Sequence, residues 1–200
     1  MRVVFGMKVV AARIARRFIL STRGIAAVEF AMIMPVLLIL FLSTFDAANG
    51  LAIYMKVRSA SYVLAAVTNQ YGTGSSGIAT ADMTNITGAA SKVLSPYSAT
   101  PVVVTISQIK STSNTNATVS WSYSLNGTPL TGTYGSLPTN FAKNSCNNTY
   151  PCYSIVATVT YTFTPSFGSF MTGPINLSDT LLATPRVSTC IQYNSAPASC

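Results

Sequence analysis

An apolar stretch of 21 residues, from Ile25 to Phe45, constrains the fold of this chain more than any other feature. Twelve of these residues are Leu, Ile, Val or Phe, and Glu29 is the only charged one. At ~1.5 Å per residue, a helix of this length measures roughly 32 Å, which matches a bilayer hydrocarbon core of ~30 Å. The apolar side chains contribute about −5 kcal/mol to insertion, whereas a central acid would cost about 3 kcal/mol. The stretch therefore predicts a transmembrane helix.

The charges on either side of this stretch predict its orientation. Six of the twelve Lys and Arg lie within the first 23 residues, which contain no acid. Lys56 and Arg58 are the only cations that follow soon after the span. Because basic flanks stay in the cytoplasm, residues 1–24 are expected inside and the rest of the chain outside. The net charge of +8 is thus an orientation signal, and no nucleic-acid partner is expected.

A cleavable secretory signal peptide is the alternative explanation of this N-terminus. It would combine the basic front and the apolar middle with cleavage after Ala48. The apolar run is, however, longer than the usual ~7–15 residues of a signal peptide, and an acid lies near its start. A retained membrane anchor is therefore favoured over plain secretion.

The residues at the start of the span resemble a known processing site. They read Arg23-Gly24-Ile25-Ala26-Ala27-Val28-Glu29-Phe30, with a Gly closing the basic leader and a Glu five residues after it. This looks like a type IV prepilin processing site. Together with the continuation to Leu38, it resembles the TadE-like pseudopilins of tight adherence (Flp-type) pilus systems. The resemblance is strong over residues 23–45 and fades towards Val67.

The resemblance implies a location, a set of partners and a processing step. A prepilin peptidase would cut between Gly24 and Ile25 and leave the hydrophobic helix on the mature protein. The other implied partners are the inner membrane, major and minor pilins, and the pilus assembly platform. The protein would lie in the bacterial inner membrane with its C-terminal domain in the periplasm, either retained there or incorporated in a cell-surface pilus. Major Flp pilins are far shorter than residues 25–200, so a minor component is implied.

Glu29 has a physical rationale that is independent of the family. A carboxylate near the start of a lipid-embedded helix is costly unless another group compensates it. Cleavage after Gly24 would create an amino group on Ile25, four residues before Glu29. That amine could pair with its own carboxylate or with that of a neighbouring subunit, and the resemblance implies the second arrangement. An isolated Glu29 that reaches headgroup water is the alternative.

The part after the span is predicted to be α+β. A helical extension over residues 46–70 is indicated by Leu51, Tyr54, Met55, Arg58, Tyr62 and Ala65, which recur at three- and four-residue steps. A head domain, residues 71–200, follows. Its predicted elements are a helix over Thr80–Leu94 and strands over Val102–Ile109, Thr118–Leu125, Ile155–Phe163 and Leu181–Tyr193. The expected architecture is a long N-terminal transmembrane helix that continues into a helix packed on an antiparallel β-sheet, as in pilin heads.

Alternation within two predicted strands assigns their faces. Val119, Trp121 and Tyr123 are expected on one face of their strand, opposite a row of Ser and Thr. In Ile155–Phe163, the apolar residues alternate with Thr in the same way. This pattern is typical of antiparallel strands with one solvated face. Pro185 would confine the last predicted strand to a sheet edge or split it.

The four cysteines all lie beyond the span, at positions 146, 152, 190 and 200. An even number of Cys in an exported domain predicts disulfides, although four Cys allow three pairings. Proximity favours Cys146–Cys152 and Cys190–Cys200. Neither spacing resembles a paired zinc knuckle and the chain contains no His, so no metal site is expected.

The composition disfavours catalysis and leaves two functional classes. Without His there is no Ser-His-Asp or Cys-His arrangement, and no cofactor-binding motif is present, so neither an enzyme nor a bound cofactor is expected. The first class is a minor pseudopilin that takes part in pilus assembly or priming. The second is an unprocessed, membrane-tethered binding module in the periplasm or at the surface. Only the first requires cleavage after Gly24 and a role for Glu29.

Overall fold

Three helices and one five-stranded sheet make up the part of the chain that the structure describes. The structure is a computed structural model, and it describes residues 23–74, 77–98, 100, 102–136, 147, 149–194 and 200. The helices are α1 (Arg23–Thr68), α2 (Thr80–Leu94) and α3 (Ser169–Thr172). The strands are β1 (Val102–Ser111), β2 (Asn116–Leu125), β3 (Thr133–Ser136), β4 (Cys152–Phe163) and β5 (Ile175–Ala183). The predicted α+β class is confirmed.

The chain divides into two compact units, one ending at Ala47 and the other running from Ala48 to Cys200. Helix α1 runs through both the predicted span and its extension, with Pro35 inside it. The helix ends at Thr68, and its last turn continues through a hydrogen bond from the Asn69 N–H to the Ala65 carbonyl, 3.0 Å long. The predicted leader, residues 1–24, lies outside the described residues except for Arg23 and Gly24.

The sheet is antiparallel throughout, with strand order β3-β2-β1-β4-β5. Three of its strands and helix α2 lie where the sequence predicts them. The predicted strand over Leu181–Tyr193 is wrong in its bounds, because β5 begins at Ile175 and ends at Ala183. Pro185, which has no N–H to donate to a ladder, follows two residues later. The segment 190–194 instead forms an isolated parallel bridge between Tyr193 and Ile78.

A register shift in the centre of the sheet overturns one predicted face. Gln108 pairs with Trp121 and Ile109 pairs with Val119, which leaves Ser120 as an extra residue in β2. Such a β-bulge turns the residues before it to the opposite face. Val119 therefore packs with Ile109 in a small outer cluster, whereas Trp121 belongs to the main core. The prediction that Val119 and Trp121 share a face is wrong for this reason.

The main core lies between one face of the sheet and two helical segments. These segments are α2 and the second half of α1. Its fully buried members come from every one of these elements: Val57 and Leu64 from α1, Met83 and Leu94 from α2, and Val104, Ile106 and Val159 from the sheet. Each such side chain contributes roughly 1.5–3 kcal/mol by burial. The predicted helix-on-sheet packing is thus confirmed.

The opposite face of the sheet carries paired hydroxyl groups, as alternation in β4 predicts. Cross-strand hydrogen bonds join Thr158 to Thr180 (3.0 Å) and Thr160 to Ser178 (2.9 Å). Ser107 pairs with Ser122 in the same way, at 2.7 Å. Such pairs stabilise a sheet by a few tenths of a kcal/mol to about 1 kcal/mol each. This part of the face is therefore polar, whereas the outer cluster around Ile109 and Val156 on the same face is apolar.

The segment after β5 is held against the core by polar contacts. The Trp121 indole N–H donates to the Ile191 carbonyl at 2.8 Å, and the Ile191 N–H donates to the side-chain oxygen of Gln108 at 2.7 Å. Ile191 is fully buried. Tyr193 stacks on Trp121 with ring centroids 5.4 Å apart. Because a buried backbone group is costly to leave unpaired, these contacts fix the segment as part of the core.

Lys56 joins α1 to the C-terminal end of α2. Its ammonium donates to the Ser95 carbonyl and, at 3.5 Å, to the Val93 carbonyl. It also lies 5.8 Å from the centroid of the Tyr97 ring. A cation at this position satisfies carbonyls that have no partner within the helix and interacts favourably with the helix dipole.

We expect Lys56→Met to lower the free energy of unfolding by about 1 kcal/mol, because the carbonyls at the end of α2 lose a charged donor. Lys92→Met is the matched control, since Lys92 is exposed on α2 and its loss should cost less than about 0.5 kcal/mol. Chemical denaturation of the purified protein in detergent measures both. Equal effects of the two substitutions would contradict the capping role.

Candidate functional site

The predicted processing site lies in the first turn of α1. Gly24 and Ile25 are the second and third residues of this helix, and every side chain from Ile25 to Phe30 is exposed. A Cβ atom built on Gly24 would meet no heavy atom of the described residues within 4 Å, apart from its chain neighbours and the backbone of its own helix. Packing among the described residues therefore does not demand glycine at position 24. A requirement for Gly24 would have to come from a protein that binds this segment.

Glu29 lies one helical turn after Ile25, because residues four apart are neighbours on a helix surface. Its side chain is exposed, and no residue in the described part of the chain forms a hydrogen bond or an ion pair with it. An amino group on Ile25 would thus lie one helical turn before this carboxylate. The exposed Glu29 side chain would be accessible to such an amine and to a second helix.

The helix around these residues is apolar on every side. Six consecutive side chains, from Val36 to Phe41, are each 47–69% exposed. Six residues exceed the ~3.6 of one helical turn, so they cover the whole circumference. A helix that is hydrophobic all round is typical of a membrane span. It is long and apolar enough to cross a bilayer, which makes it a candidate membrane anchor.

The second half of α1 has one buried and one exposed apolar stripe. The buried stripe contains Ile53, Val57, Ala60, Leu64 and Ala65. The exposed stripe contains Leu51, Tyr54, Met55 and Tyr62, which are 37–63% exposed. The residues whose spacing predicted the helix belong mostly to the exposed stripe, and only Ala65 among them is buried. The same spacing of Ile53, Val57, Ala60 and Leu64 is the sequence signal that would have identified the core side.

Both acids of the head hold secondary structure together. Asp82 accepts a hydrogen bond from the Ala79 N–H at 3.1 Å and caps the start of α2. Asp179 on β5 accepts a hydrogen bond from the hydroxyl of Ser61, which is fully buried on α1. Neither contact is predicted from the sequence. In the described residues no three His, Cys, Asp or Glu side chains cluster as metal ligands do.

Burial raises the pKa of Tyr161, and the Tyr97 phenol raises it further. Burial also raises the pKa of Tyr134. The ordinary pKa of tyrosine is about 10, so both phenols stay neutral at physiological pH. Tyr161 is part of the main core and Tyr134 packs on the outer cluster. Their hydroxyls act as polar ends of packed side chains.

A disulfide joins Cys190 and Cys200, whose Cα atoms are 5.9 Å apart. This is the pair that proximity in the sequence favours. Cys152 is also disulfide-bonded, but Cys146, its predicted partner, lies outside the described residues. The Tyr153 hydroxyl donates to the Cys200 carbonyl at 2.7 Å. The disulfide thus ties Cys200 to the segment that is anchored by Trp121, and the hydrogen bond from Tyr153 ties Cys200 to β4.

Comparison with known proteins identifies a family resemblance at the N-terminal helix. A search of curated proteins and a search of solved structures each found no significant match. Residues 24–65 match the model of a family described as TadE-like protein. The match begins at Gly24 and includes Ile25, Glu29, the apolar span and both stripes of α1. The TadE-like family suggests involvement in Tad/Flp pilus systems. The resemblance predicted from Gly24, Glu29 and the span is therefore confirmed, and residues 24–65 are similar to the TadE-like family.

Proposed function

We propose that this chain is a minor pseudopilin that takes part in the assembly or priming of a Flp-type pilus. The observation that carries the proposal is the TadE-like segment itself, in which Gly24, Ile25 and Glu29 open an exposed, fully apolar helix. In this function a prepilin peptidase releases the basic leader and leaves a new amine on Ile25. The chain stays in the inner membrane with its head in the periplasm, because the six basic residues before the span remain in the cytoplasm.

The mechanism of assembly in this proposal rests on charge pairing in a medium of low dielectric constant. An unpaired carboxylate in hydrocarbon is costly, and an opposite charge on a neighbouring helix offsets that cost. The amine of one subunit and Glu29 of the next would therefore fix the register between two helices. Attraction between unit charges at 4 Å is about 1 kcal/mol in water and several-fold larger in a less polar environment. The pair would form only where both helices are embedded.

The exposed stripe on the second half of α1 supplies a second contact surface in this proposal. Leu51, Met55 and Tyr62 are apolar or aromatic and at least 57% exposed, and Arg58 lies between them. Their spacing of three and four residues matches one face of a helix. A helix of another pilus component could pack along this stripe while the opposite stripe remains buried in the head. The head would then act as a rigid structural part rather than as a catalyst.

The alternative function is a membrane-tethered binding module that is never processed. It shares the candidate anchor and the folded head with the first proposal. The position of Glu29 favours the pseudopilin, because an unprocessed tethered module gains nothing from a costly acid near the start of its membrane anchor. The two functions make opposite predictions for the N-terminus of the protein in membranes.

We expect the protein recovered from membranes to begin at Ile25, and Gly24→Val to block this processing while leaving membrane insertion intact. The reason is that the fold leaves position 24 open, so that the peptidase alone would sense the added isopropyl group. Gly88→Val is the matched control, because a Cβ at Gly88 also meets nothing within 4 Å and the site is far from the span in sequence. N-terminal sequencing and alkaline extraction of membranes give the two readouts. A wild-type protein that keeps its leader would favour the tethered module.

A further inference from the structure

Strand β5 forms one edge of the sheet. It pairs with β4 along all nine of its residues, from Ile175 to Ala183, without a register shift. In the described part of the chain, no strand lies on its other side, and no backbone hydrogen bond joins β5 to a residue outside β4. In an antiparallel pair, every second residue points its N–H and C=O away from the partner strand. About half of the residues of β5 therefore present unpaired backbone groups at this edge.

β5 lacks the features that most often block pairing at a sheet edge. Such edges are usually short, interrupted by a bulge, or occupied by Lys or Pro. The strand at the other end of the sheet, β3, has only four residues and pairs irregularly with β2. β5 is regular and contains neither Lys nor Pro, and Pro174 and Pro185 lie just outside it. Its one charged residue, Asp179, accepts a hydrogen bond from Ser61 and so points to α1 rather than along the edge.

The side chains of β5 define the kind of strand that fits this edge. Asn176, Ser178 and Thr180 lie on the hydroxyl-bearing face, where each forms a hydrogen bond with a Thr of β4. Leu177 and Leu181 lie on the opposite face and pack at the margin of the main core. No residue of β5 is fully buried. A further strand would cover both rows, and it matches them if it alternates hydroxyl and apolar side chains as β4 does.

The direction of α1 disfavours a second copy of β5 as this strand. Beside the start of β5, a Cβ built on Gly50 would lie 3.3 Å from the Phe163 Cε1 atom, and beyond its end the Arg186 N–H donates to the Asn69 carbonyl. The second half of α1 and β5 therefore run in the same direction. Two β5 strands paired antiparallel about a two-fold axis would direct their α1 helices oppositely. Ala48, which leads to the candidate span, would then lie at opposite ends of the joined sheet, a poor arrangement for two chains anchored in one bilayer.

We propose that the edge of β5 binds an extended segment of a separate protein chain, which adds to the sheet as an antiparallel strand. The segment presents Ser or Thr on the hydroxyl-bearing face and apolar side chains beside Leu177 and Leu181. In this mode of recognition main-chain hydrogen bonds supply affinity, and alternate side chains supply specificity. The proposal requires neither processing at Gly24 nor a role for Glu29, so its failure and that of the proposed function are distinguishable.

The first measurement is the hydrogen exchange of the β5 amides in the full-length protein in detergent, followed by NMR. We expect amides at alternate positions between Ile175 and Ala183 to exchange rapidly, and the intervening amides, which bond to β4, to be protected. Protection at every position at low protein concentration overturns the proposal, because the edge is then covered within the chain. Protection that grows with concentration, together with a dimer in sedimentation, overturns it in favour of a second copy.

The second measurement adds a probe strand to the same protein. The probe is a synthetic peptide with the β4 sequence from Ile155 to Phe163, which has the required alternation, and lysines are added at both ends for solubility. We expect the peptide to slow exchange at the rapidly exchanging β5 amides by about tenfold or more. Exchange at the amides of β3 should not change, because that edge is short and irregular.

Two N-methylated forms of the peptide are the matched controls. Each form keeps every side chain and loses the amide donors at one of the two sets of alternate residues. A bound strand presents one edge to β5 and the other to water, so one form should lose binding and the other should bind like the parent peptide. That result supports the proposal. Any other result overturns it, including absence of binding, equal behaviour of the two forms, and protection at β3 in place of β5.

Discussion

Glu29→Ala is expected to abolish pilus assembly while the protein is still processed and inserted in the membrane. The proposed scissile bond between Gly24 and Ile25 is unchanged, and removal of an acid from the span lowers the cost of insertion. Assembly fails because the amine on a neighbouring Ile25 no longer finds a carboxylate in the low-dielectric layer between helices. The measurements are the amount of pilus on the cell surface and co-purification of the chain with other pilus components.

Two further substitutions at position 29 separate charge from shape. Glu29→Gln keeps the size of the side chain and removes its charge, so it should fail like Glu29→Ala. Glu29→Asp keeps the charge on a shorter side chain and should retain part of the assembly. If Glu29→Ala cells carry normal pili, the pairing mechanism is wrong, whatever the state of processing.

Trp121→Ala is expected to cause the largest loss of stability, about 3–5 kcal/mol in the free energy of unfolding. Trp121 is 6% exposed, donates its indole N–H to the Ile191 carbonyl and stacks on Tyr193. Its removal leaves a cavity in the main core and an unpaired carbonyl in a buried segment. The segment that contains Ile191 should then lose its protection in amide hydrogen exchange.

The matched control is Tyr62→Ala, because Tyr62 is an aromatic residue of the same domain that is 63% exposed. It should change the stability of the isolated protein by less than about 0.5 kcal/mol. The loss of stability caused by Trp121→Phe should lie between those of Trp121→Ala and Tyr62→Ala, since Phe keeps most of the packing but loses the hydrogen bond. Thermal unfolding in detergent compares all three. Equal midpoints for Trp121→Ala and Tyr62→Ala would show that segment 190–194 is not held by the indole.

The sequence by itself determined those features that depend on neighbours along the chain. The length and apolarity of Ile25–Phe45 predict a span, because the thickness of a bilayer is fixed. The spacing of Gly24 and Glu29 identified the TadE-like segment that the family comparison confirms. The bounds of α2 follow from a local apolar pattern between Gly77 and Pro96, and the alternation in β4 predicted its polar face.

Only the tertiary structure decides which faces of these helices and strands are buried against each other. Two apolar stripes on α1 have the same spacing. Packing against the sheet buries the stripe that contains Ile53 and Leu64, and it leaves the stripe that contains Leu51 and Tyr62 exposed. The bulge at Ser120 moved Val119 to the outer face. Periodicity shows that a residue alternates, but it does not show where an extra residue interrupts the ladder.

The C-terminal segment shows most clearly that some contacts cannot be predicted from the local sequence. Gln108 in an apolar strand and Ile191 in a polar segment are 83 residues apart, yet one hydrogen bond joins them. The residues around Gln108 and Ile191 do not predict that the two will pair. A buried donor can be satisfied by any acceptor of suitable geometry, at any distance along the chain. The sequence therefore determines which segments can be helix, strand or span, whereas long-range burial decides which of their faces meet.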